Sequence, residues 1–367
     1  MSDPSVPLVL SVFPSFAVGG AQVRFAALAN FQGRRWRHVV VSLDGRYECA
    51  ERISPEVPLQ RHPFQAPHGE RLPSRLRRIR ETLRVLRPDA LVTSNWGSIE
   101  WAIANLTGPR IRHLHTEDGF GPDEVHGQKP RRVLTRALAL RWSEVALPSS
   151  GLLQTARATW RLPESRLHFI ANGLDLTRFR TDGPRADLAV PGDGPMIGTV
   201  AALRPEKNLA RLLRAAAILR DEGVPMRLLI AGRGTEEQAL RDLTRTLGLA
   251  DRVLFAGHVP DPSSLYRAMD LFALSSDTEQ MPFSVLEAMA SGLPVAATDV
   301  GDVRFMLSDI NRPLAVERTD VALAGALRTL LNDPALRARI GTANREKAEQ
   351  DYDQGAMFRA YAKLITG

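Results

Sequence analysis

Short, nearly unbroken apolar runs alternate with stretches of helical periodicity, and this alternation constrains the fold more than any other feature. Residues 6–13, 37–43, 89–94, 110–115, 144–148 and 167–171 read as strands. Strands apolar on both faces belong to parallel sheets, which helices cover above and below. Helical patterns at 74–86, 97–106, 130–142 and 151–160 separate most of these runs. Each strand–helix–strand step is then a right-handed crossover, and the series builds an open parallel sheet.

Near Arg180 the pattern lapses into a stretch dense in Pro, Gly and Asp, which marks a linker at 181–195. The alternation restarts with strands at 196–201, 227–231, 253–255, 271–274 and 294–298. Helices are expected at 208–222, from Thr235, and at 320–331 and 334–349. The expected organisation is a first domain over 1–180, a second over 196–349, and a terminal helix within 350–367. With 367 residues, two cores suit the chain better than one. Two such sheets place a ligand cleft between them at their carboxyl edges.

Hydrophobic content of 44% and charged content of 24% describe an ordinary soluble globular protein. No apolar run reaches the ~18 residues of a membrane span. The first residues lack the basic and apolar regions of a signal peptide, and the single Cys49 excludes an internal disulfide. A cytoplasmic chain is the expectation. A net charge of +7 implies affinity for anions: nucleic acid, an anionic membrane surface or a phosphorylated substrate.

Candidate chemistry falls at strand ends. Gly19 and Gly20 follow the first strand and open a helix, where backbone approaches a phosphate or sugar ring closely; an ordinary tight turn explains them as well. Arg204 and Lys207 lie on the equivalent turn of the second half, beside a helix that Asn208 can cap. Two cations and a helix N-terminus can neutralise a diphosphate leaving group without a metal. Gly232 and Val259 lie just past two further strands, where backbone groups can frame a nucleobase. Glu279 and Glu287 stand seven residues apart around Pro282, expected at the first position of a helix that Gly292 closes. A phosphate-favouring helix mouth flanked by carboxylates suits a sugar nucleotide.

Two other groups compete for attention. His113 and His115, on one strand face, are followed by Glu117, Asp118, Asp123, Glu124 and His126; the spacing matches no helical metal site, so a metal is the minority reading. Arg71, Arg75, Arg77, Arg78, Arg80, Arg84 and Arg87 crowd one helix opposite a stripe of Leu and Ile. That is a basic amphipathic helix able to lie on an anionic bilayer, or equally a solvated face over a core stripe. Without interleaved aromatics it does not suit nucleic acid.

Taken together, these residues resemble the retaining glycosyltransferase family 4, with its GT-B fold of two Rossmann-like parallel-sheet domains facing a central cleft. Glu279-x7-Glu287 followed by Ala-Met-Ala-Ser-Gly-Leu-Pro-Val looks like the family signature, and Arg204 with Lys207 its diphosphate pair. Asn172-Gly-Leu-Asp175 resembles an element that precedes the family's linker, and His115 stands where an active-site histidine near the acceptor is usual. The resemblance implies that Glu287 holds the ribose hydroxyls. Glu279 would hold the transferring sugar, with Gln280, Met281, Pro282 and Phe283. It implies transfer on one face of the sugar, the leaving phosphate deprotonating the acceptor, with neither protein nucleophile nor metal. Pro282 where glycine is frequent, Gln280 where a small residue is, and Gly-Gly-Ala-Gln near the N-terminus depart from the pattern.

The reading is a metal-independent transferase with a UDP-linked rather than GDP-linked sugar donor. Its acceptor would be a lipid-linked or cell-surface glycan precursor, and the helix at 71–87 a peripheral membrane contact. A sugar-nucleotide 2-epimerase of the same fold is one alternative; a basic nucleic-acid- or membrane-binding protein with a degenerate site is the other.

Overall fold

The computed structural model describes residues 6–65, 67, 69–120, 124 and 127–367. Asp123 and His126 of the acidic–histidine stretch lie outside them. The chain forms two compact units, 1–171 with 357–367, and 172–356.

The first unit holds β1 (Leu8–Phe13), β2 (Arg37–Ser42), β3 (Leu59–Arg61), β4 (Ala90–Ser94), β5 (Arg112–Thr116), β6 (Glu144–Leu147) and β7 (Leu167–Phe169). All pair in parallel, in the order β3-β2-β1-β4-β5-β6-β7. Its helices are α1 (Gly20–Gln32), α2 (Leu72–Leu86), α3 (Ile99–Leu106), α4 (Pro130–Ala139) and α5 (Ser150–Ala158). The strand interiors Val9, Leu10, Val12, Val39, Val41, Leu91 and Leu114 are fully buried, as the two-faced apolar runs required.

The second unit repeats the plan with β8 (Met196–Val200), β9 (Arg227–Ala231), β10 (Val253–Gly257), β11 (Leu271–Leu274), β12 (Val295–Thr298) and β13 (Ala315–Val316), ordered β10-β9-β8-β11-β12-β13. Its helices are α6 (Leu209–Asp221), α7 (Glu237–Thr246), α8 (Ser263–Ala268), α9 (Phe283–Ala290), α10 (Val303–Met306), α11 (Asp320–Asn332) and α12 (Pro334–Asp351). In each sheet the order reverses once, beside β1 and β4 in the first and beside β8 and β11 in the second. Loops leaving the carboxyl ends there diverge and leave a crevice, the usual ligand position in such sheets.

The contact boundary falls at Ala171, nine residues before the linker expected from composition. Residues 172–179 are held by the second unit: Leu174 N–H donates to the Tyr352 carbonyl (2.8 Å), and Arg345 donates to the Phe179 carbonyl (2.6 Å). The last helix, α13 (Gln354–Thr366), packs Met357, Phe358, Tyr361 and Ile365 into the core around Val9, Leu28 and Trp36 of the first unit. β3, β13, α8 and α10 were not legible in the sequence, being too short to carry a period.

One core feature sets a pH dependence. His38 on β2 is buried with neither ring nitrogen hydrogen-bonded, and burial pushes its pKa down to about 4. Burial, and then His115, lower His113 to about 3. Both rings protonate near pH 6.5 once unfolded. Their contribution is therefore complete above about pH 6.5 and is lost as pH falls toward 4, at about 1.4 kcal/mol per pH unit for each ring. Denaturant midpoints should fall steeply between those values, and His38→Phe should flatten the slope. An unchanged slope in that variant would contradict the assignment.

Candidate active site

At the reversal of the second sheet, the turn after β8 and the loop after β11 meet. Pro205–Lys207 form one 3-10 turn, and Asn208 sits left-handed (φ 40°) as the N-cap of α6, its side chain accepting from Arg211 N–H at 3.2 Å. The cap fixes where the Lys207 side chain leaves the backbone. Lys207 Nζ donates to Glu279 Oε1 at 2.5 Å, and Ser276 Oγ donates to the same oxygen at 2.7 Å. Arg204 is exposed, with Glu206 at 4.0 Å. One predicted cation is thus paired with a predicted carboxylate, and the other is exposed beside Glu206.

The loop carrying Glu279 is fixed from several sides. Asp277 N–H donates to the Glu206 carbonyl (2.9 Å), and the Asp277 carboxylate accepts from Asn208 (3.0 Å) and Arg211 (2.7 Å). Thr298 Oγ1 donates to the Ser276 carbonyl at 2.7 Å. Asp302 N–H donates to the Gln280 carbonyl at 2.9 Å. Gly301, left-handed at φ 54°, lies so close that a Cβ there would stand 2.4 Å from the Glu279 carbonyl oxygen. No side chain fits.

Asn172, expected at the donor, is buried, and its side-chain amide donates to the Met281 carbonyl (3.0 Å) while its backbone N–H meets the Met281 sulfur (3.1 Å). These contacts tie it to the loop that follows Glu279. Pro282 is displaced by one position: it is the N-cap (ψ 126°), and Phe283 is the first residue of α9. Val285 and Leu286 N–H turn back to the Pro282 carbonyl, so the amides of Phe283 and Ser284 stand at the helix mouth. At the other end Gly292 (φ 73°) donates to the Met289 carbonyl and Leu293 to Ala288, a Schellman closure.

Glu287, on the first turns of α9, accepts from Tyr266 Oη at 2.6 Å. Burial raises its pKa, opposed by that hydrogen bond and by Arg178. Tyr266 was not legible as its partner, because it lies on the short α8, far away in sequence. The loops after β8, β9 and β10 are stitched to one another: Ala201 N–H donates to Ala231 O, Leu203 N–H to Arg233 O and Gly232 N–H to Gly257 O. Gly232 (φ 141°) has no room for a Cβ, which would stand 1.8 Å from Ala201 O. The backbone demands glycine there for its own packing. Val259 is half-buried beyond β10, and Gln280 and Phe283 are half-buried at the rim.

In the first unit, Gly19 caps α1 in extended backbone (φ −162°) and Gly20 is its exposed first residue. His115, expected beside an acceptor, is fully buried. Its Nδ1 shares Thr93 Oγ1 with His113 Nε2, each at 2.8 Å, while His113 Nδ1 meets Ser143 Oγ at 2.7 Å. His115 therefore lies inside the sheet layer as it stands. Glu117 and Glu124 are neutralised by the buried Arg136, which sits between the rings of Trp96, Phe120 and Trp160 at 5.0–5.4 Å. Asp118 takes a bidentate pair from Arg24 (2.5 and 2.9 Å). Among the described residues no group of three or more His, Cys, Asp and Glu is placed to hold a metal. Above this cluster opens a cavity of about 440 Å³ at the carboxyl ends of β4 and β5, lined by Asn95, Trp96, Asp118, Phe120, Arg132 and Arg136.

Two Rossmann-like parallel-sheet units with this strand order make the GT-B fold, and the Lys207–Glu279 pair lies at the crevice of the second. The family model for Glycosyltransferase Family 4 matches residues 18–178, and that for Glycosyl transferases group 1 matches residues 182–347. The chain belongs to these family 4-type glycosyltransferases. It is 33% identical over 216 residues to a D-inositol 3-phosphate glycosyltransferase of Rhodococcus erythropolis, covering 54% of this chain and 49% of that protein. It is 31% identical over 202 residues to the lipopolysaccharide core biosynthesis glycosyltransferase LpsD of Rhizobium meliloti, covering 54% and 57%. The chain thus spans about half the length of the curated relatives it matches. Among solved structures, Anabaena HepE in complex with UDP superposes with a TM-score of 0.80 at 19% identity, over 98% of this chain and 99% of that one. WaaG, a glycosyltransferase involved in lipopolysaccharide biosynthesis, gives 0.72 at 18%, over 98% and 100%.

Proposed function

We propose that the protein transfers a sugar from a UDP-linked donor to a lipid-linked or cell-surface glycan, with retention and without a metal. The observation that carries this reading is the Lys207–Glu279 pair, held at the reversal of the second sheet beside the mouth of α9. A donor diphosphate accepts from Lys207 and the exposed Arg204, while sugar hydroxyls donate to Glu279. The amides of Phe283 and Ser284 add a positive end for the phosphate. The acceptor oxygen forms its bond to the anomeric carbon as the bond to the diphosphate breaks. The acceptor proton passes to the departing phosphate oxygen, so no carboxylate need act as nucleophile. HepE, crystallised with UDP and with UDP-glucose, and the lipopolysaccharide enzymes among the relatives favour these choices of donor and acceptor.

Glu287 is assigned to the ribose. Two hydroxyls donating to one carboxylate make strong hydrogen bonds, so Glu287→Ala should lower kcat/KM by about 10²-fold, mainly through donor KM. A melting scan checks that loss of the Tyr266 contact has not unfolded the unit.

The reading is tested by thermal shift with UDP, GDP and their sugar conjugates, with and without EDTA, followed by transfer assays that score product anomeric configuration. A UDP-specific shift insensitive to EDTA, with retained configuration, is expected. Inverted product, a metal requirement, or epimerised UDP-sugar without transfer would overturn the corresponding part.

A membrane contact through α2 belongs to the same proposal. Arg75 pairs with Glu100, Arg78 with Glu70, and Arg80 donates to Thr107, which leaves Arg71, Arg77, Arg84 and Arg87 as the exposed cationic face. Among the described residues no helix is long and apolar enough to cross a membrane.

A further inference from the structure

The layer of helices over one face of the first sheet carries a second feature that the basic helix does not explain. α3 packs between α2 and α4. On α4 and the turn that follows it, Leu134, Leu138 and Trp142 recur every four residues and are 60%, 59% and 62% exposed. Four-residue spacing puts Leu134 and Leu138 on one side of the helix, and Trp142 stands in the turn three residues past its end. Large apolar side chains exposed singly need no explanation, but a triplet ending in an indole does.

The charges around this stripe have one sign. Between Pro130 and Ser143 the sequence has four arginines and no carboxylate; of these Arg136 is buried and Arg132 is tied to Glu124, which leaves Arg131 and Arg141 exposed beside the stripe. Trp142 also lines a cavity of about 490 Å³ with Arg110, Arg112 and Arg166, where Glu144 is the one carboxylate among the described lining residues. Arg110 is held on that rim by a left-handed backbone (φ 57°) after Pro109. The cavity lies where β5 and β6 begin, at the amino edge of the sheet, opposite that sheet's own carboxyl ends.

We infer that Leu134, Leu138 and Trp142 insert into the interface of an anionic bilayer, with lipid phosphates accepting from Arg110, Arg112 and Arg141; Arg166 is held by Glu144. An apolar stripe bordered by arginines matches the boundary between acyl chains and headgroups, with the indole at headgroup depth. A second copy of this chain fits poorly, because a twofold contact through the stripe brings Arg131 and Arg141 against their own counterparts. The exposed arginines of α2 belong to the same helical layer and strengthen the attraction. The inference deepens the lipid-linked acceptor reading, yet its test does not require turnover.

The test is flotation of the full chain with vesicles of phosphatidylcholine alone and of phosphatidylcholine with phosphatidylglycerol, at low and high salt. Binding to the anionic vesicles, weakened by salt, is expected, with a blue shift of tryptophan emission that Trp142→Phe removes. Trp36, Trp101 and Trp160 are buried and Trp96 is half-buried, so Trp142, the one exposed tryptophan, dominates such a shift. The triple variant Leu134→Ser, Leu138→Ser, Trp142→Ser should bind about tenfold more weakly or worse, with its melting temperature and its transfer to a water-soluble acceptor unchanged. Arg110→Gln with Arg141→Gln should weaken binding to anionic vesicles only. Unaltered binding by the triple variant, or no binding by the parent protein, overturns the inference. So does a dimer in light scattering that the triple variant dissolves. Loss of transfer in the parent protein, with vesicle binding intact, would count against the proposed function alone.

Discussion

Replacing Lys207 with alanine is expected to reduce kcat/KM for transfer by about 10²–10³-fold while leaving the melting temperature nearly unchanged. The first half follows from what Lys207 faces. A departing diphosphate concentrates negative charge where a fixed ammonium, already placed by the Asn208 cap, can stabilise it without reorganisation. The second half follows from what Lys207 leaves behind. Glu279 keeps Ser276 as a donor at 2.7 Å, and the loop keeps its ties through Asp277, Thr298, Gly301 and Asp302. A partly exposed ion pair contributes about 1 kcal/mol or less. Steady-state kinetics with calorimetry separates the two, and near-normal turnover in this variant would remove Lys207 from the mechanism.

The largest stability effect is expected at Arg136. Its guanidinium has no exposure, donates to Glu117 at 3.1 Å and to Glu124 and Gln128 at 3.4 Å, and is boxed by three aromatic rings. Burial pushes the Glu124 carboxyl up, but hydrogen bonds from Arg136 and Arg132 outweigh it and hold the group ionised. Arg136→Met removes one charge and leaves the buried Glu117 without its arginine and Glu124 with Arg132 alone. Breaking such a cluster from one side costs about 3–5 kcal/mol. The first unit's unfolding should then drop on the order of 10 °C by calorimetry. Adding Glu117→Gln and Glu124→Gln should recover most of the loss, since the cost lies in the unpaired charges. A loss below about 1 kcal/mol, or no rescue, would show the cluster to be solvated.

Both predictions turn on how far local sequence carries. The β8 turn and the β11 loop could be read residue by residue because each follows an apolar strand and precedes a helix, and the strand order brings their ends together. Lys207 and Glu279 were legible as neighbouring candidates for that reason, although the 2.5 Å contact between them was not. The motif around Asn172 shows neither its burial nor its hydrogen bond to the Met281 carbonyl. His115 stood at a strand end in the sequence, but β5 continues to Thr116 and Thr93 on the neighbouring strand draws the ring inward.

The sequence by itself determined the class. Short apolar runs without polar alternation, each followed by a helical period, read as parallel strands, and a Pro/Gly-rich gap between two such series marks two sheets. Only the tertiary structure decided which charges are free to meet a ligand and which are already matched. Asp118, Glu117 and Glu124 look like a ligand cluster in the chain, yet Arg24, Arg132 and Arg136 neutralise them. The arginines of α2 look uniformly available, yet Arg75, Arg78 and Arg80 are tied to neighbours, while the exposed apolar stripe of α4 is hidden in an ordinary amphipathic pattern. Pairing and exposure depend on what distant segments bring alongside, and no local period records that.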